Sequence, residues 1–357
     1  MAIEWMDGLE AIANTQDINR RYSIVSTDTT PSYATPGRLG WGRMISENSQ
    51  VTLETPALKG GDLATRRAGY SFYVDTPAAG GDDNVIMYFA DGAGTRQVQL
   101  VIDSSDDGTG LFSLSVERAE GSPVSLGSTG EVFPYATYLH IELEVTIHNS
   151  AGAFELRVNQ VDRLSDSGID TQVTGNATCD RVAFGTHKAT SCRIDDFHGN
   201  NDIGDNTGFL GEQQIESPGA PASEGDADDW VPSSGTDNAL MIDEHDTTPA
   251  DDAATHIASG VDNQEDLYNY PALTNIPAGA VTAVNIRTQA ALTVVGSRDF
   301  RHRVKQGAVT ADGGGSQAVT GTGYGFFEDF MDEDPTTTTA WTKATVDSAQ
   351  FGEKSVA

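Results

Sequence analysis

The chain is 357 residues long, more than most single domains hold, so two domains are expected. Its 53 acidic side chains against 21 basic give a net charge of −32, present in both halves. A surface of that sign repels phosphate backbones and argues against nucleic-acid binding, which needs clusters of Lys and Arg. No apolar run approaches the roughly 18 residues of a membrane span. The opening MAIEWMDGLE lacks the basic region and apolar stretch of a signal peptide, so neither a membrane partner nor a leader is expected.

After a first segment of mixed period come strand candidates at Tyr70–Asp75, Asn84–Asp91, Arg96–Asp103 and Leu111–Arg118, separated by turn signals such as DGAG and SSDDGTG. The clearest pattern is YLHIELEVTIHNSAGAFELRVN, Tyr138 to Asn159. Leu139, Ile141, Leu143, Val145 and Ile147 alternate with His140, Glu142, Glu144, Thr146 and His148. Beyond NSAG, Phe154, Leu156 and Val158 resume the apolar side. Successive side chains of a strand point to opposite faces, so this is a hairpin with one buried and one wet face. Cys179 and Cys192 follow on two candidate strands. Their spacing fits no zinc site, and two free, buried thiols are expected. Between Asp205 and Asp229 the strand pattern stops in Gly, Pro, Ser and acidic residues, the composition of a linker. Strands then return through AVTAVNIRTQAAL, RDFRHRVKQG and TGYGFFEDFM. The fold class expected is all-β: a sandwich or jelly roll over 1–204, a linker over 205–229 and a second, smaller β-sandwich over 230–357.

WMDGLEAI, LHIELEVTIHNSAGAFELRVN and GIDTQVTGNATCDRVAFG followed by CRIDDFHG resemble the concanavalin A-like, laminin G-like jelly roll of tailed-phage virion proteins. The second half, with AVTAVNIRTQA and the ending from Ala340 to Lys354, resembles a module of the same proteins. The resemblance implies a non-enzymatic structural component on the outside of a phage particle. Its implied partners are other virion proteins and copies of itself, as a trimer or higher assembly. A host surface glycan is the alternative partner, bound by a carbohydrate-binding module. The chain's acidity agrees with the exterior, since a lining of this charge would repel packaged DNA.

Glu142 and Glu144 share a face, as paired carboxylates do in sandwich glycosidases. The third acid of that pattern is replaced by Thr146, however, and the face offers only His140 and His148 as rings. A solvated face is expected, and no catalytic residue. Asp195 and Asp196 are calcium candidates, because hard cations take carboxylate oxygens, although adjacent strand residues face opposite ways. No other cofactor is expected. His245, Asp246 and His256 fall in an acidic loop without a metal-site spacing. Arg301, Arg303 and Lys305 line one face of a strand and form a candidate docking strip for an acidic neighbour. Tyr33, Trp41, Trp230 and Trp341 are the candidate glycan-contact aromatics.

Overall fold

The computed structural model describes residues 3–9, 21–24, 33–34, 44–47, 52–75, 84–103, 110–119, 121–185, 192–243 and 254–356. These divide into two compact units, the first of 3–9 and 21–215, the second of 216–356. Both are built almost wholly from antiparallel strands, as the alternation in the sequence requires.

The strands of the first unit, in chain order, are β1 (Ile3–Asp7), β2 (Ser23–Ile24), β3 (Tyr33–Ala34), β4 (Met44–Glu47), β5 (Thr52–Glu54), β6 (Thr65–Val74), β7 (Asn84–Ala90) and β8 (Arg96–Asp103). They continue with β9 (Leu111–Arg118), β10 (Val124–Ser128), β11 (Phe133–Pro134), β12 (Thr137–Thr146), β13 (Gly152–Val158), β14 (Val161–Ile169), β15 (Arg181–Gly185) and β16 (Cys192–Asn200). A front sheet has the order β14-β13-β12-β6-β16-β4-β3, with β1 also on β16. A back sheet has the order β10-β9-β8-β7-β15-β5-β2, with β11 also on β9. The core lies between them. Ala68, Tyr70, Phe72 and Val74 of β6 and Leu139, Ile141, Leu143 and Val145 of β12 face inward and are buried. Phe197 of β16 stacks on Phe184 of β15 with ring centres 4.8 Å apart, joining the sheets. The Tyr70 hydroxyl crosses the same gap and donates to the Ile86 carbonyl at 2.8 Å, which satisfies a polar atom the core would otherwise strand. Cys179 and Cys192 are free and buried, and burial pushes the Cys179 thiol up to about 12.

One irregularity in β16 decides what the outer face of the front sheet carries. Asp195 is opposite Ser71 of β6 and His198 is opposite Gly69, so β16 holds one residue more than its partner. Asp196, at φ +54°, absorbs the extra residue. Such a β-bulge re-aims the side chains that follow it. Ile194 and Phe197 therefore both enter the core, while Asp195 and His198 both face outward.

Residues 206–215 do not leave the first unit. Asn200 Nδ2 donates to the Gly208 carbonyl at 2.9 Å, and the Leu210 and Gly211 amides donate to Glu142 Oε1 at 2.8 and 3.0 Å. The Ile215 amide donates to Asp196 Oδ1 at 3.2 Å, and Arg157 lies over the Phe209 ring at 4.1 Å. This segment covers the centre of the outer face. Of the stretch expected to be a linker, 206–215 is thus a strap on the jelly roll, and Ser223–Asp228 is a strand of the second unit.

The second unit contains β17 (Ser223–Asp228), β18 (Val231–Pro232), β19 (Ile257–Ala258), β20 (Glu265–Asn269), β21 (Ala280–Val281), β22 (Val284–Ala290) and β23 (Arg298–Gln306). After these come β24 (Val309–Asp312), β25 (Gln317–Val319), β26 (Gly325–Met331), β27 (Glu333–Asp334), β28 (Thr339–Thr342), helix α1 (Lys343–Ser348) and β29 (Gln350–Val356). Its main sheet runs β17-β20-β29-β23-β24, with β25 also on β23. Ile286, Val304, Met331, Trp341 and Phe351 form its core. α1 is capped by Thr342, whose side chain accepts from the Thr345 amide.

Candidate functional site

Four cross-strand rows cover the outer face of the front sheet, each read across β12, β6 and β16. They are Tyr138–Tyr73–Arg193, His140–Ser71–Asp195, Glu142–Gly69–His198 and Glu144–Arg67–Asn200. The face is not the solvated surface expected. His140, Glu142 and His198 are only 4%, 3% and 2% exposed, because the strap lies over them. Glu142 is fixed between two histidines, with His140 Nε2 3.6 Å from Oε2 and His198 Nε2 3.5 Å from Oε1. The imidazole rings are nearly parallel, 5.5 Å apart. Burial acts to raise the Glu142 carboxyl. The two histidines outweigh it and hold the group well below the usual carboxylate range. Gly69 makes the room, since a Cβ there would lie 2.5 Å from His198 Nε2 and 2.8 Å from Glu142 Cγ. Glu144 forms an ion pair with Arg67.

Beside this covered cluster the first row stays half-exposed. The rings of Tyr73 and Tyr138 are 5.0 Å apart, and the Arg193 guanidinium lies 5.0 Å from the centre of the Tyr73 ring. Tyr73 donates to Asp75 Oδ1 at 3.4 Å. Both phenols are pushed above their ordinary value of 10, first by burial; Arg193 draws each of them part of the way back. The face therefore holds an aromatic platform where only His140 and His148 were expected. His148 serves the hairpin turn, its Nδ1 accepting from the Ser150 and Ala151 amides.

The other expected sites are placed as follows. Asp195 and Asp196 are both buried: Asp195 Oδ1 accepts from the Asp196 amide at 2.9 Å, and Asp196 holds Ile215. Adjacent as they are, the bulge lets both carboxylates serve the backbone. Arg301, Arg303 and Lys305 are paired within the second unit, to Asp312, to Glu265 and Asp312, and to Asp226 at 2.6 Å. Trp341 is fully buried and donates to the Met331 carbonyl at 3.1 Å, which removes it from the surface. Trp230 is half-buried and donates to the Gln264 carbonyl at 3.2 Å. Tyr33 falls on β3, while Trp41, His245 and Asp246 lie outside the described residues.

No family model and no curated protein matches the chain. Solved structures similar to it include the alginate lyase Aly36B, at 10% identity and a TM-score of 0.41 over 56% of this chain and 96% of that one. An endo-β-1,4-glucuronan lyase from the fungus Trichoderma reesei aligns at 8% identity and a TM-score of 0.40 over 56% and 95%. A carbohydrate esterase from the Shiga toxin-encoding bacteriophage phi24B aligns at 13% and 0.35 over 55% and 99%. The expectation of a non-enzymatic virion component is corrected here. These neighbours are carbohydrate-processing enzymes, and the face taken for plain solvated surface is a built polar site.

Proposed function

We propose that the first unit is a carbohydrate-active enzyme that cleaves a uronate-bearing polysaccharide by β-elimination on the Tyr73–Tyr138–Arg193 row. That row is the observation carrying the reading: two half-buried rings in contact, with a guanidinium beside them. Sugar rings pack on aromatic faces, and guanidinium is the side chain that matches a carboxylate's geometry.

The chemistry follows from those groups. Arg193 offsets the charge of the substrate carboxylate, which acidifies the C–H bond α to it. Tyr138, hydrogen-bonded to Arg193, takes that proton as phenolate. The C–H electron pair becomes a carbon–carbon double bond, and the β glycosidic C–O bond breaks. Tyr73 gives its proton to the leaving oxygen, and Tyr138 returns one to Tyr73. One proton leaves the sugar and one joins the leaving group, so neither oxidant nor water is consumed.

Affinity electrophoresis in gels cast with a polyuronate or with its carboxyl-reduced counterpart tests the substrate class. The native chain is expected to be slowed by the acid polymer alone, and Arg193→Ala by neither. Equal retardation in both gels, or in neither, overturns the reading.

A further inference from the structure

We infer that His140, Glu142 and His198 form a binding site for one divalent transition-metal ion of the zinc class. The inference is independent of the elimination chemistry, because it rests on different side chains and is read by metal content.

The three ligand atoms lie within 4.8 Å of one another, and each belongs to a residue more than nine-tenths buried. Two imidazole nitrogens and one carboxylate oxygen are a donor set that zinc takes in proteins, at about 2.0–2.2 Å. Ligands at that radius around a tetrahedral centre are about 3.3–3.6 Å apart. The His140 Nε2–Glu142 Oε2 separation of 3.6 Å is close to that spacing. His198 Nε2 lies 3.5 Å from the other oxygen, Oε1, and the ligand atoms are within 4.8 Å of one another, so a movement of the His198 ring completes the site.

The second unit provides an internal comparison. Buried His302 reaches its carboxylate partner, Asp329, at 2.7 Å, an ordinary hydrogen bond. His140 and His198 stand off Glu142 by almost an ångström more. None of their four ring nitrogens has a hydrogen-bond partner, and neither has Glu142 Oε2. Five such buried atoms are costly unless something binds them, and one from each of the three residues lies within 4.8 Å of the others. Three features are arranged around that volume. Gly69 removes the side chain that would fill it, and the bulge at Asp196 turns His198 into it. The strap amides of Leu210 and Gly211 hold Glu142 by Oε1, leaving Oε2 turned to the ring of His140. Fixing a ligand through its other atom is how outer contacts orient metal sites. Three protein donors leave the fourth position of the tetrahedron to water.

The test uses the full chain, stripped with a chelator and titrated with Zn2+ alone. One zinc per chain should survive gel filtration, and Co2+ in its place should give the visible absorption of a four-coordinate ion. His140→Ala and His198→Ala should each weaken zinc binding by more than about 100-fold, the upper range for changes to the surrounding shell alone. Glu142→Gln keeps an acceptor for the strap amides, so it tests the ligand in a chain that retains its fold; it too should lose the zinc. The inference is overturned if the native chain retains no zinc through gel filtration. Retention by the folded Glu142→Gln variant at native affinity overturns it equally, since the ion would then sit elsewhere on this acidic surface. Loss of polysaccharide cleavage is not part of either outcome.

Discussion

Gly69 and His198 are cross-strand partners, and a methyl group on Gly69 would come within 2.5 Å of the His198 ring. The pair shows how the polar cluster is accommodated. One strand gives up its side chain so that two neighbouring strands can place theirs in the same volume. Gly69→Ala is expected to cost about 1–3 kcal/mol, as overpacking of a tight interior does. Urea unfolding measures it, and an unchanged midpoint would show that the space is not needed.

The strap is held by side chains of the sheet. Replacing Glu142 with Ala leaves the Leu210 and Gly211 amides without their acceptor, at a cost of about 1 kcal/mol, the low end of the range for unsatisfied groups because both are only half-buried. Hydrogen exchange should become faster at Leu210 and Gly211 in Glu142→Ala and stay slow in Glu142→Gln. Equal protection in both variants would mean the strap is anchored by Asn200, Asp196 and Arg157 alone.

The second unit contains a relay in which Asp329 bonds His302, His302 Nε2 meets Thr288 Oγ1 at 3.1 Å, and Thr288 bonds Glu353. Burial raises the Glu353 carboxyl above its ordinary 4.5, with Thr288 and His302 opposing. A carboxyl whose folded pKa is raised binds more protons folded than unfolded between the two values. Its contribution to stability is therefore fully present below about 4.5 and is lost as pH rises through the folded pKa. Glu353→Gln should remove that decline and gain on the native chain as pH rises. Parallel stability curves for the two proteins would contradict this.

Much of the sandwich was legible in the sequence, because period-two alternation is a direct consequence of strand geometry. Leu139 to Val145 and Phe154 to Val158 occupy the buried face as their alternation requires. The site was less legible for three physical reasons. Alternation carried through CRIDDFHG from Cys192 and Ile194 puts His198 in the core, and only the Asp196 bulge reverses it. Asp tolerates a left-handed backbone better than most residues, but that is a weak signal in a sequence. Tyr73, Tyr138 and Arg193 are far apart in the chain, and only the register of β6 against β12 and β16 unites them. The strap looked like a linker because it shows no strand alternation and few apolar side chains, yet much of what holds it is backbone amides, which composition does not reveal. The basic strip looked free for the same reason: Asp312, Glu265 and Asp226 reach it through the sheet.

A net charge of −32 opposes the approach of a polyanionic substrate, while the contact at Arg193 is short-ranged. Raising ionic strength from about 0.01 to 0.15 M shortens the screening length from about 30 to 8 Å. The repulsion is thereby suppressed more than the contact, so kcat/KM on a polyuronate should rise over that range. A steady fall would place the binding energy in long-range attraction, contrary to the charge of the chain.

The most direct measurement is the initial rate at which unsaturated uronyl product appears, by ultraviolet absorbance, for the native chain, Tyr138→Phe and Arg193→Ala on polyuronates across pH. The native chain is predicted to form product, with a rate that climbs through the alkaline range because burial keeps the Tyr138 phenol above 10. Tyr138→Phe is predicted to lose about 10²–10⁴-fold, the usual contribution of a positioned acid or base. No product from any polyuronate, or equal rates for Tyr138→Phe and the native chain, would contradict an eliminase centred on this row.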